Sequence, residues 1–198
     1  MMLKVGITGG MGSGKTTVCK IFEVLGIPVY YADDKAKELM TNNEALRQKI
    51  IKLFGTDAYL KDQTLNRKYI ADIVFNDPSK LEKLNRAVHP AVLKDSEIWH
   101  KSQKNVPYTL KEAALLFESG SYKNLDKMIT VVAPQEIRIQ RILERDKTSR
   151  KAILARIENQ ISDHEKASQS NFVIYNDGKQ GLIEQVIAIH LELKKLQN

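Results

Sequence analysis

The chain is poor in residues that cross-link or break a protein. It carries one cysteine, Cys19, in 198 residues, which excludes a disulfide framework and a cysteine-built zinc site. Five prolines and ten glycines are too few for a collagen-like or linker-dominated chain. No apolar run approaches the ~20 residues that span a bilayer. The N-terminus, Met-Met-Leu-Lys-Val-Gly-Ile-Thr, lacks the basic region, apolar stretch and small-residue cleavage site of a secretory leader. A cytoplasmic protein without a membrane segment is the expectation. His89, His100, His164 and His190 show no ligand spacing with carboxylates, which argues against a metal site built from side chains alone. Trp99 and the tyrosines do not alternate with basic residues, so a nucleic-acid stacking platform has no support. What remains is ordinary for a globular domain: 42% hydrophobic and 28% charged residues exclude disorder. A chain of this length buries on the order of 70% of its unfolded surface.

The balance of charge is basic, +7 overall, and suits an anionic partner. The surplus is local. Between Arg138 and Arg156 seven Lys or Arg stand against two acids, Glu144 and Asp146. A concentrated surplus favours a binding site over a general coat.

Leu3 to Thr8 is a short apolar run and reads as a strand. Val18, Ile21, Phe22 and Leu25 then recur at helical spacing and form one apolar face. Gly26 and Pro28 stop that helix, and a second strand follows at Pro28 to Tyr31. Strand, loop, helix and strand make the βαβ unit of a parallel sheet. The middle is helical. Lys35 to Met40, Glu44 to Phe54, Asn66 to Phe75 and Pro90 to Gln103 are predicted helices, with Asn66 as a cap and Asp77-Pro78 opening another. Strands return at Tyr108 to Leu116, Lys127 to Val132 and Phe172 to Tyr175. Helices are expected from Pro134 to Arg145, from Lys151 to Ile161 and along Leu182, Val186, Ile189, Leu193 and Leu196. The helical block from about Lys35 to Gln103 interrupts the βα alternation and is too long for a plain connection. It reads as an insertion covering one side of the sheet edge.

Gly9-Gly10-Met11-Gly12-Ser13-Gly14-Lys15-Thr16 satisfies G-x-x-x-x-G-K-[ST] in full, with a strand before it and an amphipathic helix after it. Each part has a physical reason. Glycines let the backbone wrap a phosphate and turn its N–H groups inward. The helix N-terminus adds partial positive charge. Lys15 reaches the β- and γ-phosphates, and Thr16 offers its hydroxyl to Mg²⁺. The motif predicts nucleoside triphosphate binding through Gly10, Met11, Gly12, Ser13, Gly14, Lys15, Thr16 and Thr17.

No aspartate is followed by glycine three residues later, and Asn-Lys does not occur, so a guanine-specific switch is not expected. The size suits a small-molecule kinase, which needs a carboxylate near the acceptor hydroxyl. Asp33 and Asp34 follow the second strand, at the strand ends where ligands of open α/β sheets sit. The plain alternative for Asp33 is a helix cap over Lys35 to Met40. Asp34 fits better as a cap or a solvated charge. Arg141 and Arg145 share a helix face, and Arg156 lies on the next helix. A lid carrying such arginines excludes water and neutralises the transferred phosphoryl group. Arg138, Lys147 and Lys151 read as a solvated basic face, and Cys19 as a packing residue.

Taken together, these residues resemble the dephospho-coenzyme A kinase family over nearly the whole chain. Residues 6–17, Gly-Ile-Thr-Gly-Gly-Met-Gly-Ser-Gly-Lys-Thr-Thr, match that family's start. Its Asp-Ala-Asp motif falls on Tyr31-Ala32-Asp33, its Leu-Asn-x-x-x-His-Pro stretch on Leu84 to Pro90, and its Pro-Leu-Leu-Phe-Glu stretch on Ala114 to Glu118. Its lid pattern falls on Arg141 to Asp146 and Arg156 to Gln160, and its late Asn-x-Gly element on Asn176-Asp177-Gly178. Two departures stand out: Tyr31 replaces the first Asp, and Ala114 replaces a proline. The resemblance implies an α/β fold with a P-loop core of five parallel strands, formed by residues 1–34 and 105–198. It also implies an arginine-rich lid at about 138–165 and a helical CoA-binding subdomain at about 35–104. It implies transfer of the ATP γ-phosphate to the 3′-hydroxyl of dephospho-CoA, with Mg²⁺. Asp33 would orient or deprotonate that hydroxyl, while Lys15 and Arg141 stabilise charge and Thr16 ligates Mg²⁺. His89, Glu118 and Arg156 would bind the acceptor, and Arg145 and Asn176 the nucleotide, Asn176 near the adenine. A monomer or weak homo-oligomer without nucleic-acid partners is expected. The alternatives are another small-molecule or nucleoside monophosphate kinase on the same core, or a non-catalytic nucleotide- or RNA-binding protein.

Overall fold

The computed structural model describes residues 2–197. In chain order the elements are β1 (Leu3–Thr8), α1 (Lys15–Val24), β2 (Val29–Tyr31), α2 (Ala32–Asn42), α3 (Glu44–Phe54), α4 (Arg67–Asn76), α5 (Pro78–Ser102), β3 (Tyr108–Glu112), β4 (Lys127–Val132), α6 (Gln135–Arg145), α7 (Arg150–Glu158), α8 (Asp163–Ser168), β5 (Phe172–Tyr175) and α9 (Leu182–Lys195). The chain divides into two compact units, residues 1–31 with 100–198, and residues 32–99.

The first unit is built on a sheet of order β2-β3-β1-β4-β5, parallel throughout. β1 is central, pairing Val5 with Leu110 on one side and with Lys127 on the other. A sheet covered on both faces needs unbroken apolar strands. Accordingly Val5, Ile7, Leu110, Ile129, Val131 and Ile174 are fully buried. Val18, Cys19 and Phe22 of α1 join Val186, Ile189 and Leu193 of α9 in the same core. α6 and α7 form a smaller cluster of their own, Ile139, Ile142 and Ile153, against which Met11 packs. Since all strands are parallel, the loop after β1 and the loops after β3 and β4 leave from one edge.

The second unit is helical. Leu46, Ile50 and Phe54 line one face of α3, and Val88 and Val92 face inward from α5. Asn43 and Asn66 cap α3 and α4 by accepting from the N–H groups of Leu46 and Tyr69, at 3.0 and 3.2 Å. α5 runs unbroken through Pro90, where the sequence suggested separate helices. Proline removes only one helix hydrogen bond, and the buried stripe Val88, Val92 and Ser96 continues across it. α2 begins at Ala32, three residues ahead of the predicted start. Asp33 and Asp34 therefore lie in its first turn rather than capping it. β3 stops at Glu112, and the short α8 had no sequence signal.

Candidate active site

The loop from Gly9 to Gly14 joins β1 to α1. Gly9 and Gly14 adopt positive φ, +150° and +93°, which side chains rarely take. A Cβ at Gly9 would land on the Val131 carbonyl, and one at Gly14 on the Asn176 amide. The loop is closed by the Ser13 N–H donating to the Gly10 carbonyl at 3.1 Å. Helix α1 starts directly behind it. First-turn N–H groups of a helix have no carbonyl one turn back, so this end attracts anions. Lys15 Nζ folds over the loop and donates to the carbonyls of Gly9 and Gly10 at 2.9 and 3.4 Å.

A cavity of about 360 Å³ opens here. Gly12, Gly14, Lys15, Thr16 and Thr17 form one wall, and Arg141, Ile142 and Arg145 of α6 the other. Arg141 Nη2 donates to Asn176 Oδ1 at 3.2 Å and to its carbonyl at 3.4 Å. Arg145 makes two 2.8 Å bonds to Asp146. The pair raises the Arg145 pKa and holds the Asp146 carboxyl below the usual range. The Arg145 side chain is 65% exposed, so the pair holds it weakly.

Asn176 is buried, and its Nδ2 donates to the Ser13 carbonyl at 2.8 Å. Its amide braces the loop instead of facing open space. Gly10 and Met11 also depart from expectation. Their N–H groups are held by Asp163 Oδ1 at 3.1 Å and Gln160 Oε1 at 3.3 Å. Arg138, read from the sequence as solvated, is instead buried. Its Nε donates to the Met11 carbonyl at 2.9 Å, and its Nη1 pairs with Asp163 Oδ2 at 2.7 Å. Burial of the apolar α6 face carries it inward. Lys147 and Lys151 are exposed as read.

Glu118, in the loop after β3, is bound internally. Its Oε1 accepts from Lys166 Nζ at 2.8 Å and from the Ile161 N–H at 3.1 Å, while its buried Oε2 has no hydrogen-bond partner. Lys166 is fully buried and also donates to the Ala114 carbonyl at 3.1 Å. Arg156 is exposed on α7 and does not line the cavity. Asp33 and His89 belong to the helical unit and are both exposed. Tyr31 turns its hydroxyl to Glu23 Oε1 at 3.0 Å, with its pKa pushed up chiefly by burial. Burial likewise pushes the Cys19 thiol up, in keeping with a packing role.

A family model described as dephospho-CoA kinase matches residues 3–181. A dephospho-CoA kinase of Salinibacter ruber is 42% identical over 179 residues, 89% of this chain and 90% of that protein. The chain belongs to the dephospho-CoA kinase family. A crystal structure of TT1252 from Thermus thermophilus superposes with a TM-score of 0.84 at 32% identity, over 96% of this chain and 97% of that one. A dephospho-CoA kinase from Campylobacter jejuni gives a TM-score of 0.70 at 29% identity, with both chains fully covered. The family match takes in the loop, α6 and Asn176, and stops just before α9. Asp163 and Lys166 are the polar residues that sequence reasoning missed. Each forms its contact across more than forty residues or from a short helix without periodicity. Among the described residues no helix is long and apolar enough to cross a membrane.

Proposed function

We propose that the chain transfers the γ-phosphoryl group of ATP to the 3′-hydroxyl of dephospho-CoA, releasing ADP and coenzyme A in the last step of coenzyme A synthesis. The observation that carries this is the cavity at the head of α1, where Lys15, Thr16 and Arg141 converge in a chain of that family. The acceptor oxygen attacks the γ-phosphorus, and the bond to the β–γ bridging oxygen breaks. The acceptor proton passes to the Asp33 carboxylate or is oriented by it. Lys15 exchanges the Gly9 carbonyl for phosphate oxygens, and Arg141 neutralises the charge that develops. Gly12 and residues 14–17 supply the remaining loop and helix N–H groups. Among the described residues no group of three His, Cys, Asp or Glu could hold a metal ion. Mg²⁺ would enter as a companion of ATP, with the hydroxyl of Thr16, an exposed residue at the start of α1, as its protein ligand. When bound, it would screen the phosphates.

The helical unit is assigned to the acceptor. Asp33, His89 and Arg156 are its proposed contacts, with Glu118 shaping the site from the core. Arg145 joins the nucleotide side, and Asn176 acts on the nucleotide through the loop it braces. A cytoplasmic location is part of this reading. A coupled ADP-release assay with ATP and Mg²⁺ tests the reading, comparing dephospho-CoA with AMP, adenosine and no acceptor. Release that needs dephospho-CoA and yields coenzyme A is expected. Release with another acceptor, or with none, would overturn the acceptor assignment.

A further inference from the structure

The outer half of the phosphate loop is gripped by side chains to which phosphoryl transfer assigns no role. Asp163, at the start of α8, accepts the Gly10 N–H at 3.1 Å. Arg138, in the first turns of α6, pairs with Asp163 at 2.7 Å and donates to the Met11 carbonyl at 2.9 Å. The pair is nearly dry, with side-chain exposures of 6% and 17%. The fit is tight: a Cβ at Gly10 would strike the Arg138 guanidinium, and one at Gly12 would come within 2.6 Å of the Arg138 carbonyl. Arg138 and Asp163 also flank the excursion of α6 and α7 that carries Arg141 and Arg145.

A carboxylate beside a loop that must receive a polyphosphate is unfavourable on its own, because like charges in a partly dry site repel strongly. Here it has two tasks that pull apart. Its oxygen fixes the Gly10 N–H, and its charge opposes the ligand. We propose that Arg138 and Asp163 are positioning residues for ATP. Asp163 sets the loop, and Arg138 cancels the Asp163 charge so that the loop still accepts a triphosphate. Neither touches the reacting atoms. The proposal rests on the kinase reading only in placing ATP at the loop.

The two partners are therefore not equivalent, which separates this role from plain structural support. Titration calorimetry with Mg²⁺ and ATP, without acceptor, reads it directly. Arg138→Gln leaves an uncancelled carboxylate and is expected to weaken ATP on the order of tenfold or more. Asp163→Asn removes the charge and keeps an oxygen for the Gly10 N–H, so ATP affinity stays within about threefold or tightens. The double variant Arg138→Gln/Asp163→Asn returns to within about threefold of wild type. The KM for dephospho-CoA is unchanged in each variant that folds. Each single variant strands its partner's nearly buried charge. Where one does not fold, Arg138→Lys, which keeps a charge to cancel Asp163, takes its place beside the double variant. Both are expected within about threefold of wild type, and a tenfold loss of ATP affinity in either overturns the proposal. Equal losses in both single variants, a double variant tenfold weaker than wild type, or unchanged binding in Arg138→Gln overturns the proposal. Wild-type protein that binds ATP but does not turn over dephospho-CoA overturns the kinase reading and leaves this test standing. Wild-type protein that binds no ATP overturns both.

Discussion

The Asn176 side chain ties the phosphate loop to the arginine helix: its Nδ2 donates to the Ser13 carbonyl at 2.8 Å while its Oδ1 accepts from Arg141 at 3.2 Å. A side-chain amide can do both at once, donating from its nitrogen and accepting at its oxygen. Asn176→Ala leaves the Ser13 carbonyl and the Arg141 guanidinium without these partners. A loss of roughly 1–3 kcal/mol is expected from a buried unsatisfied group, measured by urea unfolding. The KM for ATP should rise while that for dephospho-CoA holds. A rise in both would mean that Asn176 acts beyond the nucleotide side.

Lys15 and Asp33 are predicted to fail differently. Lys15 already rests on the carbonyls of Gly9 and Gly10, poised over the loop. Lys15→Ala should weaken ATP binding and lower turnover by about 100-fold or more. Asp33→Asn should keep ATP affinity and lose turnover by on the order of 10²-fold. Binding by calorimetry and rates by ADP release check both. Normal turnover in Asp33→Asn would remove Asp33 from the chemistry.

The parts of this protein that were legible in its sequence are those set by local rules. Glycine spacing before Lys15, the stripe Val18, Ile21, Phe22 and Leu25, and the apolar runs of β1 and β5 depend on neighbours in the chain. The illegible parts depend on distant partners. Arg138 looks like any surface arginine until Asp163, 25 residues away, closes on it. Lys166 looks solvated until Glu118 is folded against it. Pro90 signals a break that tertiary packing of Val88 and Val92 overrides. Asp33 is proposed from its place after a strand, and the helix it belongs to begins one residue before it.

The Glu118–Lys166 pair gives a stability prediction. Lys166 is fully buried, and Glu118 only slightly exposed. Removing one partner leaves the other charge buried and uncompensated, which costs roughly 3–5 kcal/mol. Lys166→Met should therefore destabilise strongly, and Lys166→Met/Glu118→Gln much less. Denaturant midpoints of the two variants check this. Equal losses would show that the Ala114 carbonyl contact of Lys166, and not the charge pair, is what matters.

His190 on α9 gives the last prediction, in pH. Its Nδ1 lies 2.7 Å from the Tyr108 hydroxyl, and burial first, then Lys194, holds the imidazole below its ordinary value of 6.5. Burial alone raises the phenol of Tyr108, so at neutral pH a protonated phenol faces a neutral ring. A histidine with a lowered folded pKa takes up its proton more readily in the unfolded chain. Its contribution is fully present above about 6.5 and is lost as pH falls through the folded value. The urea midpoint should therefore drop between pH 7.5 and 5.5, windows on either side of the ordinary histidine pKa. His190→Gln keeps a polar group facing Tyr108 without a titrating ring, and should flatten that slope. An unchanged slope in His190→Gln would assign the acid sensitivity to another group.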